Sequence, residues 1–457
     1  MNSQKRLGEM KIGKLILEFS IPAIIGMLVN TLYNIIDRIF IGHIEGIGNI
    51  AMAGVGITMP LMTIILAFGM LIGIGTATKI SIKLGQHDKE GAEKLLGNAF
   101  TLIIIISIFL TIVGIIFSNP LLRVFGASEN IIGYGEEFIQ VIFIGCIFNM
   151  ISFGLNHSIR SDGSPRIAMA SMLMSAIINI ILDPIFIFGF NLGVRGGALG
   201  TVVAQTISSI WILYYFTKGA SVLKIRKENL KLSKKAVLSI IAIGISPFSM
   251  QLAQSAVQVV SNNSLQKYGG DIAVSAMTII GSLAMVFLMP IFGLNQGLQP
   301  IIGYNFGAKK YDRVKQAVKY GIIVATVIVT VGFIIIEAAS EILVMAFNGD
   351  SSLIEVTSHG MRISLIMLPF IGAQIIATNY FQSIGRVKIS MLLSLLRQVI
   401  ILIPCLLIIP TFFGLNGVWI AAATSDFLSV VITFIVFIKK SKELSKDKKI
   451  QEVALES

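Results

Sequence analysis

Charge is what this sequence has least of. Only 13% of its 457 residues are charged, about half of the roughly 25% that is typical of soluble domains. Mean hydropathy is +0.86. There are only two cysteines, Cys146 and Cys405, and both lie in apolar runs. We interpret them as small apolar residues, which excludes a disulfide framework. The scarcity of charge excludes an ordinary soluble domain.

Motifs for enzyme chemistry are also missing. The chain has no G-x-x-x-x-G-K-[ST] loop, which excludes phosphate-loop ATP hydrolysis. It has no H-E-x-x-H motif and no D-D-x-x-D motif, and its four histidines are scattered. We therefore predict that the protein is not an enzyme and holds no cofactor or resident metal.

Long apolar runs take the place of these motifs. Residues 100–117 form one such run, and about 18 consecutive apolar residues suffice to cross a bilayer as a helix. The pattern predicts an all-α integral membrane protein with twelve transmembrane helices. The predicted spans are 14–41, 51–78, 95–117, 133–157, 167–190, 197–217, 236–264, 272–302, 318–338, 357–382, 389–410 and 416–438.

The basic residues fix a predicted orientation. The chain carries 36 Lys and Arg against 24 Asp and Glu, a net charge of +12. Thirty of the 36 fall in the tails and in alternate loops, and only three fall in the opposite loops. Basic loops face the cytoplasm, so we predict a cell-membrane protein with both termini cytoplasmic. The charge reflects topology and not nucleic-acid binding.

The two halves resemble each other at a nearly constant shift along the chain. Gly85 and Gly163 align with Gly307 and Gly385 at one and the same shift, each beside a charged loop. Because each half has six spans, the repeats should be parallel, as in transporters that work by alternating access. A channel or scaffold without coupling is the alternative. The predicted domains are an N-terminal lobe (1–217), a basic linker (218–235), a C-terminal lobe (236–438) and a charged tail (439–457).

Polar groups inside spans are costly and point to function. In the first span, Asn30, Asn34 and Asp37 share one helical face, with Tyr33 beside them. We expect this face to line the interior of the first lobe.

The fifth and sixth spans add matching groups. Asn179 and Asp183 are one turn apart, Pro184 follows, and Thr201 lies one turn into the sixth span. Asp37 and Asp183 fall at similar depth. Two carboxylates at one depth could share a proton, or the oxygens could bind a small cation such as Na⁺. A hydrogen-bond network that only holds the helices together is the alternative.

The second half is polar in a different way. A stripe along the seventh span predicts a substrate cavity made of amides, and one face of the tenth span adds to it. Arg397 and Asp426 fall at depths that allow a structural ion pair. The predicted cavity residues are Asn30, Gln251, Gln254, Ser255, Gln258, Asn262 and Gln374.

Four segments together resemble the multidrug and toxic compound extrusion (MATE) family of transporters. They are LYNIIDRIFIG, LNHSIRSDGSPRIAM, INIILDPIFIFGFNLGVRGGALGT and QGLQPIIGYNFGAKKYDRVK. The resemblance implies two six-helix lobes and export of organic, mostly cationic compounds in exchange for H⁺ or Na⁺. We predict a monomer in the lipid bilayer. A flippase for a lipid-linked precursor shares the fold and is the alternative.

The resemblance also assigns roles to residues. It implies that Asp37 and Asp183 are the cation-coupling acids and that Asn179 and Thr201 are their neighbours in the cation site. Three further residues are implied in the surroundings: Tyr33 and Asn156 in a hydrogen-bond network, in which we also place Asn34, and Pro22 where the first helix bends. The second lobe departs from branches that carry acids there, since it offers Gln251 and Gln254.

Overall fold

A computed structural model describes residues 3–345 and 350–456 of the chain. Every regular element in these residues is a helix. Nine of the helices in this part of the chain are long and apolar enough to cross a membrane, or up to eleven if each of two bent pairs counts as one span. The all-helical membrane fold is therefore confirmed.

The first half contains nine α-helices. A π-helix, Ile185–Gly189, follows α8, and a short 3₁₀ turn, Lys227–Leu230, lies in the linker. The α-helices are α1 (Ser3–Glu9), α2 (Ile12–Gly42), α3 (Gly48–Gly56), α4 (Met59–Gly85), α5 (Lys89–Val124), α6 (Glu129–Ile144), α7 (Cys146–Ser161), α8 (Pro165–Pro184) and α9 (Gly193–Thr217).

The second half contains seven further α-helices, with a π-helix, Leu396–Leu402, between α14 and α15. Non-helical backbone at Gly270 and Gly414 breaks α10 and α16 internally. The helices are α10 (Lys234–Gly307), α11 (Tyr311–Met345), α12 (Ser351–Ser364), α13 (Leu368–Ser383), α14 (Val387–Leu395), α15 (Ile403–Ile408) and α16 (Pro410–Glu456).

Two predicted spans are bent. The predicted span 133–157 is the pair α6 and α7, which meet at 60°, and 357–382 lies in the pair α12 and α13, which meet at 49°. Hydropathy averages over such a bend and does not reveal it. The predicted spans 236–264 and 272–302 both lie in α10, on either side of Gly270.

The helix boundaries repeat along the chain. Helix α4 ends at Gly85 and α5 begins at Lys89, and in the second half α10 ends at Gly307 and α11 begins at Tyr311. The starts of α7 and α8 recur in α13 and α14 at the same shift. Even the left-handed backbone recurs, at His87 (φ 59°) and Lys309 (φ 58°). The predicted duplication is present in the structure.

The chain divides into two compact units. One comprises Met1–Glu9 and Ile21–Gln251, and the other comprises Met10–Ser20 and Leu252–Ser457. The beginning of α2 thus groups with the second half and the beginning of α10 with the first. The predicted lobes, 1–217 and 236–438, stay a prediction.

Candidate cation site

The two acids predicted to act together come from different helices of the first unit and meet. Asp37 lies on α2 and is 9% exposed, and Asp183 lies near the end of α8 and is fully buried. Their carboxyl groups are within hydrogen-bond reach of each other. A hydrogen bond between two carboxyl groups requires a proton on one of them. The geometry therefore allows the pair to share a proton.

Asn179 and Thr201 complete this cluster. The Asn179 amide donates to Asp183 Oδ1 over 2.9 Å and to the Thr201 hydroxyl over 3.3 Å. Asn179 is one turn before Asp183, which places both side chains on one face of α8. Both Asn179 and Thr201 are buried. The structure brings the four predicted coupling residues together.

Glycines on α9 make room for the acids. A Cβ atom at Gly197 would lie 3.1 Å from Asp37 Oδ1, and one at Gly200 would collide with Asp183 Oδ1. One at Gly196 would lie 2.7 Å from the backbone nitrogen of Ile187 in the π-helix. The sequence analysis missed this contact surface, although the glycines at 196, 197 and 200 are a small-residue pattern typical of close helix packing.

The break at the end of α8 has a local cause. Pro184 has no N–H group, so the helix cannot close its regular hydrogen bond there. The chain continues as the π-helix Ile185–Gly189, a form found frequently at functional sites. Asp183 therefore sits where the α-helical pattern changes.

Three buried oxygens of the cluster have no hydrogen-bond donor among the described residues. They are Asp37 Oδ1, Asp183 Oδ2 and Asn179 Oδ1. Nor does any described Lys or Arg form an ion pair with either acid. Buried acceptors without a partner are unfavourable. A proton or a small cation would satisfy these oxygens.

The predicted neighbours on α2 divide into two groups. The phenol of Tyr33 is close enough to interact electrostatically with both acids. Asn34 is exposed, and its amide donates to the Asn30 carbonyl oxygen (2.7 Å) and to Asn30 Oδ1 (2.9 Å). Asn34 therefore bonds within α2 and not to the acid pair. Pro22 is buried within α2, which is continuous through it.

Asn156 is not part of this cluster. Its amide donates to Ser171 Oγ (2.8 Å) and to the carbonyl of Ala168 (2.9 Å). Ser171 lies twelve residues before Asp183 on α8, about 18 Å along a helix. The expectation that Asn156 belongs to the network around the acids is wrong. It joins a separate polar contact between α7 and α8.

Gln374 is buried between two helices of the second half. It is 4% exposed, and its amide donates to Ser429 Oγ over 2.9 Å, which joins α13 to α16. A polar face can equally serve helix packing, and the cavity role of Gln374 stays a prediction. The other stripe residues on α10 differ from it: Gln251 is half-buried, and the exposed ones are Gln254, Ser255, Gln258 and Asn262.

The predicted ion pair of the second half is present. Arg397 Nε lies 2.6 Å from Asp426 Oδ1, and the Ser425 hydroxyl donates to the Arg397 carbonyl over 2.8 Å. Asp426 is 6% exposed. Unlike Asp37 and Asp183, this carboxylate forms an ion pair.

A family model for MatE matches residues 22–185 and 247–408, which together make up more than half of the chain. This chain belongs to the MatE family. The assignment confirms the resemblance seen in the sequence motifs, and one matched segment lies in each half of the chain. Members are transporters and not enzymes, and their many spans place them in the membrane.

Curated relatives are similar over nearly the full length. The chain is 29% identical to the multidrug export protein MepA of Staphylococcus aureus (strain MRSA252), covering 94% of both chains. It is also 29% identical to MepA of Staphylococcus haemolyticus (strain JCSC1435), covering 93% of this chain and 94% of that one.

Solved structures share the fold. A crystal structure of MATE in a bent conformation has a TM-score of 0.92 at 25% identity, covering 98% of this chain and 99% of that one. A MOP superfamily transporter from Pyrococcus furiosus, described as having a binding pocket of reverse polarity, has a TM-score of 0.90 at 25% identity. There the coverage is 97% of this chain and 99% of that one.

Proposed function

We propose that this protein is a secondary active multidrug efflux transporter that exports organic, mostly cationic compounds in exchange for H⁺ or Na⁺. Membership of the MatE family and the MepA relatives support the transport class. The buried acid pair with its unsatisfied oxygens supports cation coupling. That cluster is the observation on which the mechanism rests.

The orientation is part of the proposal. The chain crosses the membrane twelve times, since each bent pair forms one span and α10 forms two that are separated at Gly270. An uninterrupted helix of its 74 residues would be well over three times as long as a bilayer core is thick. With thirty basic residues on one side against three, both termini are cytoplasmic.

The coupling step follows from the cluster. Asp37 and Asp183 take up H⁺ or Na⁺ from outside, with Asn179 and Thr201 as neutral oxygen donors. Loading lowers the negative charge of the pair and reduces the electrostatic cost of two buried carboxylates. The helices that carry these residues, α2, α8 and α9, then repack and release the substrate.

The driving force comes from the return of the cation. Each net charge that moves inward per transport cycle contributes about 2.3 kcal/mol per 100 mV of membrane potential, in addition to any chemical gradient of the cation. The exposed amides of α10, Gln254 and Gln258, supply polar contacts for a substrate, and an amide surface suits varied compounds.

Everted membrane vesicles test the proposal. Movement of ethidium, an organic cation, is measured with a pH gradient and a sodium gradient imposed separately. The wild type should transport ethidium with at least one gradient, and Asp37→Asn should not. Asp271→Asn is the control, since Asp271 is an exposed acid of α10. Full gradient-driven transport by Asp37→Asn would contradict the site assignment.

A further inference from the structure

A groove lies beside the N-terminal part of α11, in the second half of the chain. Its volume is about 460 Å³, and it lies between α11 and the far end of α16, with Tyr380 of α13 among its lining residues. The lining is mainly apolar and aromatic and includes Phe306, Val318, Ile322 and Phe437. In the proposed orientation this end of the helices meets the cytoplasmic face of the bilayer.

Two lysines stand at the edge of the groove. Lys315 and Lys319 are one turn apart on α11, and both line it and are exposed. No described residue forms an ion pair with either one. The groove therefore combines an apolar lining with two positive charges at its rim.

The first half shows what fills the corresponding place. At the shift that aligns Gly85 with Gly307, Lys315 and Lys319 correspond to Glu93 and Gly97 of α5. Glu93 is 4% exposed, because the basic linker covers it. Arg226 Nε lies 2.9 Å from Glu93 Oε2, and the backbone N–H of Lys224 donates to Glu93 Oε1 over 3.2 Å.

Further hydrogen bonds hold the linker against α5. The Thr101 hydroxyl donates to the Leu230 carbonyl over 2.8 Å, and the backbone N–H of Ser233 donates to Asn98 Oδ1 over 2.7 Å. At Gly97 a Cβ would lie 2.5 Å from the Asn229 carbonyl oxygen, so only glycine allows the linker this close.

The two corresponding places have opposite charge. The first presents a carboxylate and holds a basic segment of the chain itself, whereas the second presents two lysines. An occupant of the second groove must be anionic at the rim and apolar inside. It must also be able to reach the groove from the membrane.

We propose that this groove binds an anionic phospholipid of the cytoplasmic leaflet. An acyl chain packs on Phe437, Tyr380 and Ile322, and the phosphate lies between Lys315 and Lys319. This placement rests on the orientation given under the proposed function, but binding is measured without transport. A failure of lipid binding can therefore be told apart from a failure of the proposed transport function.

Native mass spectrometry of the purified full chain tests the proposal, with phosphatidylglycerol or phosphatidylcholine added. The wild type should retain phosphatidylglycerol in preference. Lys315→Gln/Lys319→Gln should weaken this retention about thirtyfold, because two basic residues near anionic lipid contribute that much. Lys315→Glu/Lys319→Glu, which adds repulsion between the protein and the lipid phosphate, should weaken it further. The control Lys234→Glu/Lys235→Glu changes two exposed lysines of the first unit and should retain the lipid.

A phosphatidylglycerol with a photoreactive acyl chain locates the contact. Cross-links should map to α11 and α16 near Ile322 and Phe437, and they should be lost in the double glutamate variant. Equal retention of both lipids, equal loss in the control variant, or cross-links elsewhere would overturn the proposal. So would a zero-length cross-link from Lys315 or Lys319 to a carboxylate of residues 442–457, which would make the tail the occupant.

Discussion

Asp37 and Asp183 in the first half are buried beside each other without an ion pair, whereas Asp426 in the second half is buried against Arg397. A carboxylate in an ion pair with an arginine of another helix holds the two helices together. Two adjacent carboxylates without a cation are unstable when both are charged. The first arrangement suits a site that loads and unloads a cation, and the second suits a fixed structural contact.

The largest expected effect is on transport, which should depend on the acid pair of the first half and not on the ion pair of the second half. Asp183→Asn should abolish gradient-driven ethidium efflux, because the pair can no longer bind and release a cation. Arg397→Met/Asp426→Leu removes the ion pair as a unit and should leave efflux largely intact. Both variants are assayed in everted vesicles at matched protein amounts. Loss of efflux in the second variant alone would reverse the assignment.

The ion pair of the second half should matter for folding stability, although it should not matter for transport. Asp426→Asn leaves the Arg397 guanidinium without its partner and should cost about 3 kcal/mol, while replacement of both by apolar residues should be nearly neutral. Melting in detergent, followed by tryptophan fluorescence, measures the difference. An unchanged melting temperature for Asp426→Asn would show that the pair is not structural.

A third buried acid of the first half, Asp162, should make folding stability depend on pH, and the second half has no acid at the corresponding position. Burial raises the pKa of Asp162 to about 6, although the Tyr215 and Ser221 hydroxyls and the Val222 N–H donate to it. Its counterpart in the second half, at the shift that aligns Gly163 with Gly385, is Ile384. Since the folded protein holds the proton more tightly than the unfolded chain, this group's contribution to stability falls as pH rises.

From about pH 4 to about pH 6 the loss should amount to about 2 kcal/mol. Asp162→Asn should remove this slope, whereas Ile384→Val should keep it. Melting temperatures across that pH window measure both. A steeper decline in Asp162→Asn than in the wild type would contradict the sign.

A smaller effect is expected when the close packing of α9 against the two acids is disturbed. Gly200→Ala places a methyl group against Asp183 and should reduce efflux about tenfold, the size expected of a small overpacking. Gly133→Ala is the matched control, because no atom lies within 4 Å of a Cβ there. Equal efflux by both variants would show that Asp183 tolerates displacement.

The smallest effect concerns the hydroxyl beside Asn179. Thr201→Ala removes the hydrogen bond between Asn179 and Thr201 and should lower the apparent affinity for the driving cation about fivefold. Thr201→Ser should retain it. The cation concentration for half-maximal efflux measures the change, and an equal shift in both variants would mean that the methyl group matters instead.

Sequence patterns predicted the membrane depth and the helical face of a polar side chain better than they predicted its hydrogen-bond partners. Helical spacing placed Asn179 with Asp183, and similar depth placed Arg397 with Asp426. Depth and face do not say which helix a polar face meets. Gln374 was therefore assigned to a cavity although it bonds to Ser429. Asn156 was placed near the acid pair by the family resemblance, whereas its amide bonds to Ser171.

The linker was the least predictable part. Its basic composition indicated a cytoplasmic loop, but nothing local showed that it packs on α5. That contact depends on Glu93 and Asn98, which lie far earlier in the chain, before four further helices. Bends between α6 and α7 and between α12 and α13 were missed for a similar reason, since apolar composition continues through each bend.

Counterflow of the driving cation tests the central claim most directly. In proteoliposomes, an ethidium gradient alone should drive H⁺ or Na⁺ in the opposite direction through the wild type and through Arg397→Met/Asp426→Leu. Asp37→Asn/Asp183→Asn should give no cation movement. A cation flux driven by ethidium through this last variant would show that the acid pair of the first half is not the coupling site.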